Sequence, residues 1–191
     1  MTKRPLPPGQ NVYGHWPVEH YGRIPTFKAE NWCLRIAGST ASGQEARISL
    51  EEFVGMPHVE VTTDLHCGRG WSVQNVRWGG VPVAHLLDAY PPAPGVTHVL
   101  AWAEHGYTST LRLIDLRHPE SLLVDTLDGE PLPPERGFPL RLVVPHLYAY
   151  KGPKWLRGLE YRSEATRGFW EERGWHIVGD PWEEQRYSYQ E

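Results

Sequence analysis

Proline and glycine set the scale of anything this chain can build. The sequence holds 19 glycines and 18 prolines among 191 residues, spread along its whole length. Proline fixes φ and removes a backbone donor, while glycine opens the left-handed region and weakens regular elements. Uninterrupted segments are therefore short, and no internal repeat, heptad pattern or low-complexity stretch is present. Much of what lies between the breaks alternates. "WCLRIAG" (32–38), "HVEVTTDL" (58–65), "THVLAWAE" (97–104), "STLRLIDL" (109–116), "SLLVDTL" (121–127), "LRLVVPHLY" (140–148) and "KWLRGLEYR" (154–162) all suit strands. Asp128-Gly129 signals a tight turn between two of these regions. Two stretches read as helix. "SLEEF" (49–53) opens on a Ser-x-x-Glu capping box, and "VPVAHLLDAY" (81–90) has proline near its start and a Pro-Pro stop. Many short strands with one or two helices predict an α+β domain built on a mixed β-sheet.

A chain of this length makes one domain with a sizeable core. The body is expected over residues 1–163, with 164–191 as an aromatic-rich extension. That extension carries Trp170, Trp175 and Trp182 beside Phe169, Tyr187 and Tyr189. Disordered tails are poor in aromatics, so this one is expected to pack on the body. The formal net charge is −4, and the opening "TKRP" is the only strongly basic run. That excludes general nucleic-acid binding and adsorption to anionic membranes. No apolar stretch approaches the roughly 18 residues of a membrane span. The opening has no apolar leader core, and the expected location is the cytoplasm.

Two cysteines make no disulfide framework, and CxxC and HExxH spacings are absent. Cys33 lies in an alternating run between Trp32 and Leu34 and reads as a packed structural thiol. Cys67 is placed differently, in "TTDLHCGRGWS" (62–72), where a strand-like run gives way to Gly-Arg-Gly. Reactive groups are usually displayed on such turns. Gly68 and Gly70 allow close backbone approach, and their N–H groups could form an anion-holding concavity. His66 and Arg69 are expected to favour thiolate over thiol. On residues alone, Cys67 stays open between nucleophile, metal ligand and a loop cysteine with no role. A nucleophile would need a histidine base, and none of the ten histidines shows a diagnostic spacing. A second constellation, "ERGFPLRLVVPHLYAYKGPKW" (135–155), gathers Arg136, Arg141, Lys151 and Lys154 around Gly-Pro breaks. Guanidinium forks and lysine ammonium groups there suit a phosphate, and on spacing alone they equally suit a solvated strand end.

Three segments, "DLHCGRGWSVQNVRWGGVPVAHLLD", "LDGEPLPPERGFPLRLVVPHLYAYKGPKWLRGLEY" and "GFWEERGWHIVGDPWEEQRY", resemble the molybdopterin-binding domain of the sulfite oxidase family. The likeness is strongest to its compact bacterial members and runs from about residue 10 onward. It implies a sulfite-oxidase-type fold and a molybdenum-molybdopterin cofactor, with Cys67 as metal ligand and catalytic residue. Arg141 then matches the arginine that binds the pterin phosphate, and Gly152, Pro153 and Lys154 match the pterin-binding segment. Arg136 stands where relatives often carry Asn or His, and "VEHYGRIP" places His20 and Tyr21 at the pterin-contacting turn. The family's heme and dimerisation domains have no counterpart here, implying no heme and a separate electron-transfer partner. The implied activity is oxygen-atom transfer on a small-molecule substrate other than sulfite. That last expectation rests on Asp125, read as a carboxylate facing the pocket where sulfite oxidases place a tyrosine. The alternatives are a Cys67 hydrolase without metal and a molybdopterin-binding module without turnover.

Overall fold

The computed structural model describes residues 5–191, so the Lys3-Arg4 pair of the opening lies outside the described residues. The strands of the first half are β1 (Asn11–Val12), β2 (Cys33–Gly38), β3 (Ala46–Ser49), β4 (Val59–His66) and β5 (Trp71–Pro82). Those of the second half are β6 (His98–Ala103), β7 (Thr108–Arg112), β8 (Leu122–Leu127), β9 (Glu130–Pro131), β10 (Arg141–Val143) and β11 (Leu156–Arg162). Three short helices, α1 (Leu50–Val54), α2 (Val83–Ala89) and α3 (Leu113–Leu116), lie between them. The strands form two mixed sheets. One runs β1-β5-β8-β10, with β4 on β5 and β9 on β8; the other runs β3-β2-β11-β6-β7. β1 lies parallel to β5 and β11 parallel to β2, while the remaining pairs are antiparallel. This is the α+β, mixed-sheet architecture the sequence predicts.

Period-two alternation explains how the first sheet serves two cores. Leu123 of β8 and Leu142 of β10 enter a core shared with the second sheet, among Leu34, Ile36, Leu156 and Leu159. Their neighbours Leu122, Val124 and Val143 point the other way, into a smaller cluster with Leu65, Trp71, Val76 and Trp78. The capping box of α1 is formed: Ser49 Oγ accepts from Glu52 N–H, and the Glu52 carboxylate accepts from Ser49 N–H. At the Asp128-Gly129 turn both residues have positive φ, joining β8 to β9.

Four expectations need correction. The 12-residue β5, the longest element, is absent from the expected strands. Its alternation is broken by Asn75 at φ 57 and by Gly79-Gly80. The expected strand 109–116 ends at Arg112, where Leu113 begins α3. The expected strand 140–148 stops at Val143, shortly before Pro145 removes a donor. Trp155, at φ 55, delays the strand expected from 154 until Leu156. No helix is long and apolar enough to cross a membrane among the described residues.

The segment 164–191 contains little regular structure but lies on the body. Phe169, Glu171 and His176 are buried. Glu171 pairs with the buried Lys151, and its carboxylate also accepts from Ser109 Oγ (3.3 Å) and Thr110 N–H (3.2 Å).

Candidate active site

Cys67 begins the turn that joins β4 to β5. Its N–H donates to Trp71 O (2.8 Å), Gly70 N–H donates back to Cys67 O (3.0 Å), and Gly70 takes φ 93. The chain reverses within four residues, displaying the thiol at the mouth of the hairpin. The expected thiolate chemistry is corrected at this point. His66 Nδ1 faces Ser72 Oγ at 2.8 Å, and burial lowers the affinity of this histidine for a proton. Arg69 Nη1 is held by Glu19 Oε1 at 2.9 Å. The other oxygen, Glu19 Oε2, lies 3.9 Å from Cys67 Sγ. Burial, reinforced by Glu19 and only partly opposed by the Arg69 N–H, pushes the thiol up to about 11. By itself the protein holds Cys67 protonated at neutral pH, which is unsuited to nucleophilic attack. The glycine turn builds no anion concavity of its own, since Arg69 N–H points at Cys67 Sγ (3.5 Å).

Across the cavity three cations converge. Arg141 is 3% exposed; its Nη1 donates to Arg136 O (3.2 Å), and its Nε has no protein acceptor. Lys154 Nζ donates to the carbonyls of Glu19 and Glu135, at 2.8 Å each. Arg136 donates to the carbonyls of Trp16 and Pro17 and lies 4.0 Å over the Trp16 ring. Among the described residues no carboxylate bonds to any of the three. Burial, then Arg136, lowers Arg141 to about 10; burial, then Arg141 and Arg136, lowers Lys154 to about 7. Buried like charges are costly without an opposite charge, so this cradle fits a polyoxygen anion.

Cys67, Arg141 and Lys154 face one cavity of about 480 Å³. Of the residues expected at the site, His20, Tyr21, Cys67, Arg141, Gly152, Pro153 and Lys154 all line it. Arg136 lies behind the wall, against Trp16. Gly152 is needed for close approach, because a Cβ there would sit 2.5 Å from Leu142 O. Asp125 is the contrary case. Its Oδ2 faces His58 Nε2 at 3.0 Å, and it is no part of the cavity wall. Two carboxylates do reach the cavity, Glu19 and Glu104; the only signal for Glu19 in sequence is adjacency to His20. Gln10 was missed as well: its Nε2 donates to Cys67 O (3.1 Å), and no local pattern marks it. Trp170 and Trp175 of the C-terminal segment join Trp16, Trp71 and Trp155 in the wall. No group of three or more His, Cys, Asp or Glu side chains gathers as a metal site among the described residues. A metal bound at Cys67 would therefore have to take its other ligands from outside these side chains.

Comparison with known proteins agrees with this geometry. The family described as oxidoreductase molybdopterin binding domain matches residues 21–170. The oxidoreductase YuiH of Bacillus subtilis is 39% identical over 96% of this chain and 92% of its own length. The catalytic subunit MsrP of a protein-methionine-sulfoxide reductase from Gluconobacter oxydans is 33% identical over 76% of this chain. The match covers 51% of that subunit, so the chain spans about half the length of such relatives. Among solved structures, the sulfane dehydrogenase SoxCD of Paracoccus pantotrophus superposes with a TM-score of 0.70 at 20% identity. That superposition covers 77% of this chain and 42% of SoxCD, and it bears on the fold.

Proposed function

The chain belongs to the oxidoreductase molybdopterin-binding domain family, and from that premise we propose that it transfers an oxygen atom to or from a small neutral S-oxide or N-oxide. The observation that carries the reading is the convergence of Cys67 and the carboxylate-free cations on one cavity. Arg141 and Lys154, backed by Arg136, would hold the phosphate of molybdopterin, and Gly152 and Pro153 would admit its ring system. Cys67 would be the protein's ligand to molybdenum. When bound, this cofactor supplies the redox chemistry, while the chain supplies orientation and electrostatics.

The thiol must lose its proton to ligate. Because burial holds Cys67 near 11, it would do so only on capture by a metal. The tryptophan walls would exclude water and orient an apolar substituent of the substrate. Sulfite is a poor fit for this site. As a dianion it requires fixed cations close to the reacting atom. Arg69, the cation beside the thiol, is neutralised by Glu19, and the other three lie in the phosphate cradle. The relative named as a methionine-sulfoxide reductase catalytic subunit supports an S-oxide as substrate. Its designation as a subunit supports a separate electron-transfer partner. The hydrolase alternative is disfavoured by the protonated thiol and by His66 facing Ser72.

Metal analysis with pterin fluorescence on the purified protein tests the cofactor. Reduction by dithionite, followed by reoxidation with S-oxides and N-oxides, tests the reaction. Stoichiometric molybdenum and pterin with rapid reoxidation are expected. Absence of both would overturn the whole reading. Rapid, saturable bleaching of the oxidised centre by millimolar sulfite would overturn the substrate class alone.

A further inference from the structure

The turn bearing Cys67 closes through two backbone hydrogen bonds of its own, and three of its carbonyls also accept from distant segments. Cys67 O accepts from Gln10 Nε2 (3.1 Å) and Gly70 O from Asn11 N–H (2.9 Å). Gly68 O, next to the thiol-bearing residue, accepts from Arg186 Nη1 at 2.5 Å. Arg186 comes from the C-terminal segment, beyond residue 170 where the family match ends. Its side chain is only 11% exposed, and its Nη2 donates to Pro8 O (3.1 Å). The guanidinium lies 5.1 Å from the centroid of the Tyr148 ring, and its Nε is 3.7 Å from Glu184 Oε1. From the same segment, Trp175 is pressed onto Gly68. A Cβ at position 68 would stand 2.0 Å from the indole Cζ3, so only glycine lets the ring seat there. Tyr150 and Tyr187 pack on that ring, at 5.1 and 5.8 Å between centroids.

We propose that Arg186, together with Trp175 pressed onto the same glycine, is a positioning residue for Cys67: the C-terminal segment clamps the Gly68 peptide and thereby sets the direction in which the Cys67 thiol enters the cavity. Groups behind a metal ligand orient it, and their loss commonly costs ten- to a hundredfold in affinity or activity. A bidentate guanidinium held between two backbone carbonyls and an aromatic ring suits this task, because its fork is rigid. The clamp's effect on the metal rests on Cys67 being the molybdenum ligand proposed above. Its effect on the thiol does not.

The test compares wild type with Arg186→Ala, Arg186→Lys and, as a control on the same segment, the 82% exposed Tyr189→Ala. In holoenzyme, Arg186→Ala should keep molybdenum and pterin content, since the cationic cradle is untouched. It should shift the electron paramagnetic resonance signature of the molybdenum centre and lower kcat roughly ten- to a hundredfold, with KM changed far less. Arg186→Lys should restore part of both, and Tyr189→Ala should match wild type. In the cofactor-free full chain, in a Cys33→Ser background, Arg186→Ala should speed alkylation of Cys67 by iodoacetamide about tenfold, as expected for a released turn. A wild-type spectrum, a wild-type kcat per molybdenum and a wild-type alkylation rate in Arg186→Ala would overturn the proposal. If Arg186→Ala does not fold, Trp175→Phe decides by the same readouts: shifted signature and rate uphold the clamp, wild-type values overturn it. Wild-type protein without molybdenum would instead sink the cofactor reading, and the alkylation rates would still judge the clamp.

Discussion

Replacing Cys67 by serine exchanges a soft sulfur for a hard oxygen while leaving the turn's carbonyl contacts in place. Cys67→Ser is expected to fold and retain pterin but to lose turnover and the native molybdenum spectrum. Full activity in that variant would refute the ligand assignment. Cys33→Ser should leave turnover unchanged and cost about 1 kcal/mol of stability at most, read from a urea transition. Arg141→Ala and Lys154→Ala each remove a cation that would face the phosphate. A lost charged hydrogen bond is worth roughly 1.5–3 kcal/mol, so each should lower cofactor affinity about ten- to a hundredfold. Unchanged molybdenum content in both would count against this cradle. At Asp115, burial alone would raise the carboxyl, but hydrogen bonds from His146 and Arg112 outweigh it and hold the group at about 2. Its folded value lies below the unfolded one, so its stabilisation is complete above pH 4 and lost as pH falls towards 2. Asp115→Asn should therefore be less stable than wild type by roughly 2 kcal/mol at neutral pH. The two denaturation midpoints should converge between pH 4 and pH 2.

Among the elements, β5 shows why short-range pattern has limits. It pairs with β1, β4 and β8, and the Gly79-Gly80 interruption that helps hide it in sequence is where β8 comes close. A Cβ on Gly80 would lie 2.1 Å from Leu123 O, an atom of β8 backbone that cannot rotate away. Gly80→Ala is expected to destabilise by about 3 kcal/mol, whereas Gly14→Ala, with no atom within 4 Å, should be near neutral. Equal urea midpoints for the two variants would show that the β5–β8 contact is softer than its geometry implies. By contrast, α1 was legible because its signal is local: Ser49 and Glu52 satisfy each other three residues apart.

Over the whole molecule, the C-terminal segment completes the body. The Lys151–Glu171 pair is almost fully buried at both ends and fastens that segment beneath the wall formed by Trp170 and Trp175. Breaking a buried pair strands a charge, which typically costs 3–5 kcal/mol; replacing both ends by apolar groups costs far less. Glu171→Leu should thus be strongly destabilising, and Lys151→Met with Glu171→Leu should recover most of the loss in a denaturation cycle. If the double variant is as unstable as the single, the pair is not what fastens the segment.

Local residue order determined the strand-and-turn character of the chain, its capping box, and the motifs that point to one family. Those features depend on neighbours within a few positions, where backbone preference and side-chain type are enough. Tertiary structure alone decided the raised proton affinity of Cys67, the pairing of Asp125 with His58, and the contact of Arg186 with Gly68. Burial decides the first, reinforced by Glu19, 48 positions away; the other two partners, His58 and Gly68, lie 67 and 118 positions away. Charge, burial and hydrogen bonding act through space, and neither motif nor periodicity encodes which distant residues share it.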